Sequence, residues 1–154
     1  MLTAALAVVF ILCTGVLAGV LIAVERAIVP MLLQLPRQTW SEVHRALDPG
    51  FDPLMPTVNK VALAAGLGLS FLAPGVAAKT AFAVALAGVV GVALVSELRN
   101  VRMNRRIDEW AAAGEIPDDW RTLRDRWARA NRRRTASALL AFCVALCGCW
   151  LAWV

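Results

Sequence analysis

Apolar residues in this chain do not alternate with polar ones; they run in blocks. Four segments carry no charge: Met1–Val24, Val61–Ala78, Thr80–Ser96 and Thr135–Val154, of 24, 18, 17 and 20 residues. A bilayer core of roughly 30 Å takes about 20 helical residues, and about 17 is near the floor. The two shorter blocks reach full length if Lys60, Lys79 and Glu97 sit at helix ends, where long side chains snorkel to the interface. None of the four has the polar face that a helix in a soluble bundle needs. The pattern therefore predicts an all-α fold, a four-transmembrane antiparallel helix bundle forming a single integral membrane domain over 1–154. Its spans are expected at about 3–33, 56–73, 77–99 and 135–154. The polar remainder, 34–55 and 100–134, is expected to form helical cytoplasmic extensions, a cap at one end of the bundle.

Composition agrees with this reading, since 60% of the residues are hydrophobic. The first block lacks a basic leader and is too long for the apolar region of a signal peptide, so a retained helix is expected. The net charge of +5 could suggest nucleic acid, but 11 of the 16 basic residues fall between Arg99 and Arg134. Positive loops face the cytoplasm, so the basic loop is expected there, with both termini outside and a bacterial inner membrane as the location. Topology explains the charge, and no nucleic-acid partner is implied. Cys13, Cys143, Cys147 and Cys149 all lie inside spans without a CxxC, which reads as apolar filler.

Helix 1, about Thr3 to Leu33, carries Gly15-x-x-x-Gly19, a spacing that lets membrane helices approach closely and would allow a homo-oligomer. Glu25 follows near its end. It either faces the bundle interior or pairs with an Arg of the basic loop. A short helix is expected from Thr39 to Leu47, capped by Thr39 with Glu42 three residues on, with Trp40, Val43 and Leu47 on one side. Asp48-Pro49-Gly50 should end it in a turn. His44 is the only histidine; it is a candidate acid/base, or an interfacial side chain with a structural role. With Asp48 and Asp52 it lacks HxxE or HxH spacing, so no metal site is assigned.

No Gly or Pro follows helix 3 between Ser96 and Asp108, so that helix should continue unbroken to about Ala113 and stop at Gly114. Glu97, Asn100, Asn104 and Asp108 then align as one polar stripe. Pro117-Asp118-Asp119 should form the first turn of the next helix. On it, Trp120, Arg124, Trp127, Asn131 and Arg134 recur at steps of four and three and share one face. Trp can stack on rings, and Arg and Asn donate to oxygens, so this face suits a flat, hydroxylated aromatic small molecule. An interfacial collar of Trp and Arg would have the same periodicity.

Asn100-x-x-x-Asn104, Trp110, and Trp120-x-x-x-Arg124-x-x-Trp127-x-x-x-Asn131-x-x-Arg134 resemble the signature of the anthrone oxygenase family, small four-helix membrane proteins long catalogued as a domain of unknown function. One departure is visible: Arg102 stands where proline is common in Asn-x-Pro-x-Asn. The resemblance implies a monooxygenase of secondary metabolism that oxidises an anthrone to an anthraquinone with O2 and no bound organic cofactor. An anthrone readily loses a proton, and its anion can pass an electron to O2. On this reading Trp120 and Trp127 bind the rings with Trp110, Asn131 and Arg134 nearby. Arg124, Asn100 and Asn104 stabilise the oxyanion, and His44 is the base, with Glu25 or Glu97 as substitutes. The alternatives are a non-enzymatic binder of a quinone, lipid or similar hydrophobe, and an assembly subunit for a partner protein.

Overall fold

The computed structural model describes all 154 residues and is helical from end to end, with no strand. We number five helices: α1 Leu2–Gln34, α2 Arg37–Phe51, α3 Leu54–Leu72, α4 Val76–Ala113 and α5 Trp120–Trp153. All but α2 are long and apolar enough to cross a membrane. They run up and down as a square in which α1 touches α3 and α5, and α4 touches the same two. Across the diagonal Phe10 of α1 and Phe82 of α4 meet edge to face, ring centroids 6.1 Å apart. Large apolar side chains such as Leu12, Leu67, Phe71, Leu94 and Leu140 stay exposed on the outside, as a lipid-facing surface requires.

Local chemistry sets the helix ends. Leu35 precedes Pro36, whose ring disfavours the helical conformation at the preceding residue; Leu35 is extended at φ −75°, ψ 145°, and α1 stops. Gly75 and Gly114 take positive φ of 72° and 70°, turning α3 into α4 and ending α4.

Three details differ from the sequence expectation. First, α2 begins at Arg37 without a Thr39 cap and runs through Pro49 to Phe51. Pro49 is exposed, and its missing N–H leaves the Arg45 carbonyl without an in-helix donor. Second, Pro117–Asp119 form a turn before α5, which starts at Trp120. Third, α4 is continuous but not regular. A π turn spans Ser96–Asn100, closed by the Val101 N–H on the Ser96 carbonyl. Its extra residue rotates the remainder of the helix by about 100°, which takes Glu97 off the polar stripe and leaves it exposed. α1 has a matching π turn at Val24–Ile28, closed by the Val29 N–H on the Val24 carbonyl. Pro30 lies just beyond it and cannot donate to the Arg26 carbonyl. In α4 Arg102 stands two residues past the turn, as Pro30 does in α1, so the wide turn forms without proline.

The core is in two pieces. One fills the bundle with Phe10, Leu17, Leu69, Phe82, Val89 and many alanines. The other fills the cap with Trp40, Ile107, Trp120, Leu123 and Trp127. Between them lies a polar layer at the level of the two π turns.

Candidate functional site at the cap–bundle boundary

The inward face of α5 builds the site. Trp120, Trp127 and Asn131 are buried on it, with Arg124 and Arg134 half-buried. Opposite, α2 buries Trp40, Ser41 and His44, with Asp48 one turn beyond His44. His44 thus lies at the centre of the α2 face that packs inward. Trp40 and Trp120 stand 5.4 Å apart by ring centroids, Trp40 and His44 5.6 Å, and His44 and Trp127 5.0 Å edge-on. These four rings form a ladder from the outer cap towards the bundle.

Hydrogen bonds continue it. The Trp127 Nε1–H donates to Asn104 Oδ1 at 3.1 Å, and Asn104 Nδ2 donates to an Asp48 carboxylate oxygen. Asn104 is therefore held from both sides. Lower down, Asn131 Nδ2 donates to Glu25 Oε2 at 2.7 Å, Arg132 Nε donates to the other Glu25 oxygen at 3.1 Å, and Arg134 donates twice to Asn131 Oδ1 at 3.0 and 2.9 Å. Glu25 meets both expectations at once: its side chain is 16% exposed, and it pairs with an Arg of the basic stretch.

Several buried polar atoms have no partner: both ring nitrogens of His44, both carboxamide atoms of Asn100, Asn59 Oδ1 and Trp40 Nε1. Such atoms are rare in folded proteins because each costs about 1–3 kcal/mol. Burial pushes the His44 pKa down to about 4, helped by the charge of Arg134, so the ring is neutral near pH 7. Burial raises the Asp48 pKa, with Asp108 and Asp52 adding repulsion, while the Asn104 bond and Arg134 pull the other way. No three His, Cys, Asp or Glu side chains converge, and Asp48 is taken up by Asn104.

Not every expected residue joins this cluster. Glu97 points outward. Trp110 lines a separate surface groove of about 510 Å³ with Ile116 and Pro117. Arg124 donates to the Leu33 carbonyl and to Asp125, and its guanidinium lies 5.2 Å from the Trp120 ring centre. With Arg121 at 5.5 Å and Trp40 beside it, the Trp120 ring is already covered. Trp120 and Arg124 instead border a groove of about 700 Å³ on the outside of the cap, together with Leu33–Arg37. Sequence reading missed Trp40, Asp48 as the partner of Asn104, and Asn59. The spacing Trp40-x-x-x-His44-x-x-x-Asp48 carried the signal for the first two.

Fold and site together define a four-span helix bundle protein with a closed polar site beneath an aromatic cap. The model of the anthrone oxygenase family matches residues 44–144, from His44 of α2 into the last span, and the chain belongs to that family. Membership suggests an oxygenase-like role. No curated protein and no solved structure matches the chain.

Proposed function

We propose that the protein is a membrane oxygenase that oxidises a flat, anthrone-like aromatic substrate with O2 at the His44–Asn100–Asn104 cluster, without an organic cofactor. The observation that carries this reading is two buried, unpartnered groups: the Asn100 carboxamide, one turn before Asn104 on α4, and the His44 imidazole, edge-on to Trp127. Together they offer donors and acceptors to a ligand that has both, such as a hydroxylated ketone. Neutral His44 takes a proton from the activated methylene of the substrate, and the oxyanion formed beside it offsets the burial cost of the imidazolium. The resulting aromatic oxyanion is stabilised by Asn100 and by the charge of Arg134, the kind of preorganised donor set that contributes most to such catalysis. The anion passes one electron to O2, and the radical and superoxide combine with a proton to give a hydroperoxide. Loss of water across its O–O bond, with the second C–H proton removed, leaves the quinone. One oxygen atom enters the product and the other leaves as water. Trp40, Trp120 and Trp127 keep bulk water out. The basic cap faces the cytoplasm on this reading, and an apolar substrate reaches the site from the bilayer.

The test is oxygen uptake by purified protein in nanodiscs with 1,8-dihydroxyanthrone, against Asn104→Ala and His44→Phe. Uptake above the spontaneous rate in wild type, lost in both variants, is expected. Equal rates in wild type and variants would sink the reading.

A further inference from the structure

The two π turns are one instance of a wider relationship. A constant displacement of 72 residues carries Val24–Ile28 onto Ser96–Asn100, Glu25 onto Glu97, Val29 onto Val101 and Met31 onto Met103. The same displacement carries Phe10 onto Phe82, the pair that meets at the bundle centre. It also carries Asn59-Lys60 of α3 onto Asn131-Arg132 of α5. The chain thus divides into two successive hairpins, α1 with α3 and α4 with α5, that share this displacement, an internal repeat of the kind many membrane proteins carry.

The halves differ in one respect. Across α1 and α5, Glu25 is gripped by Asn131 and Arg132. The corresponding grip across α3 and α4 would join Glu97 to Asn59 and Lys60, and it is not made. Glu97 and Lys60 are exposed, and Asn59 is buried at 8% exposure with its Oδ1 unpartnered. Asn100, at the end of the same π turn as Glu97, is 2% exposed with its whole carboxamide unpartnered. Val61 of α3 and Leu94 and Leu98 of α4, close to these residues in the chain, are exposed on the outside of the bundle. An unpartnered carboxamide in an apolar bundle is destabilising unless something bonds to it.

We propose that the α3–α4 seam is the bilayer-side mouth of the site, through which a flat, apolar, hydroxylated ligand passes to bond Asn59 and Asn100. Glu97 then closes on Asn59 and Lys60 as Glu25 does on Asn131 and Arg132. This rests on the substrate class proposed above.

Binding of 1,8-dihydroxyanthraquinone to the full chain in nanodiscs tests it, with empty nanodiscs subtracted. Wild type should bind saturably, and Asn59→Leu should bind about tenfold more weakly with an equal or higher Tm, because the apolar side chain removes an unpartnered group. Glu97→Lys should speed dye release about threefold, and the exchange Lys60→Glu with Glu97→Lys should restore it. Saturable binding left intact by Asn59→Leu would overturn the seam while leaving the oxygenase reading standing. A fall in Tm in Asn59→Leu would make Asn59 structural and also overturn it. No saturable binding by wild type would overturn both.

Discussion

Asn131 and Glu25, 106 positions apart in the chain, share a hydrogen bond of 2.7 Å at the level where α1 and α5 leave the bundle. The same Asn131 accepts two bonds from Arg134, so one buried carboxamide joins an acid to a base. Asn131→Leu leaves both charged groups without their mediator in a desolvated layer. It is expected to cost about 2–4 kcal/mol. Thermal unfolding in detergent would read this as a clear fall in Tm, and a Tm within error of wild type would show that the layer is wet.

The acid limb of stability should report His44. Its pKa of about 4, against an ordinary 6.5, means that the fold prefers the neutral ring. The stability tied to that preference is complete above pH 6.5 and is lost as pH falls towards 4, on the order of 3 kcal/mol in all. Asp48 works in the opposite sense, since its raised pKa means that protonation relieves the folded state and offsets part of the loss. His44→Phe keeps ring contacts with Trp40 and Trp127 but cannot titrate. Its Tm should fall less than that of wild type between pH 6.5 and 4, and parallel curves would assign the acid limb to other groups.

Asn104 and Arg124 looked equivalent as oxyanion donors on the sequence, and their surroundings separate them. Asn104 sits between Trp127 and Asp48 in the buried ladder. Arg124 bonds the Leu33 carbonyl and Asp125 at the rim of the outer groove, outside that ladder. Oxygen uptake with the anthrone should fall about a hundredfold or more in Asn104→Ala and less than tenfold in Arg124→Ala. The reverse order would move the reacting centre to the outer groove.

Much of this was legible in the sequence because membrane solvent imposes coarse rules. Uncharged blocks of span length marked four helices, and a period near 3.6 put Trp127, Asn131 and Arg134 on the inward face of α5. Geometry that depends on one residue's register was not legible. The π turn at Ser96–Asn100 has no proline to announce it, so Glu97 read as part of a stripe that it leaves. His44 lay between the Trp40/Val43/Leu47 face and its neighbours on paper, and packing against α5 decided the matter. The hairpin repeat was present as a fixed displacement, but few residues are identical across it, and the paired π turns make it visible.

The small-residue spacing of α1 also divides once neighbours are known. A methyl group on Gly15 would meet the Phe142 ring at 3.2 Å, whereas one on Gly19 meets nothing within 4 Å. The tighter approach lies elsewhere: on Gly88 of α4 a methyl would fall 2.9 Å from Ala141 Cβ and 3.1 Å from the Ser137 carbonyl oxygen. Ala141 and the α5 backbone cannot swing aside as a long side chain would. Gly88→Ala should therefore force α4 and α5 apart and cost about 1–3 kcal/mol. Gly19→Ala meets no such obstacle and gains helix propensity, so its Tm should equal or exceed that of wild type. Thermal unfolding of the two variants side by side checks both, and a loss in Gly19→Ala instead would mean that a second copy of the chain packs on that face of α1.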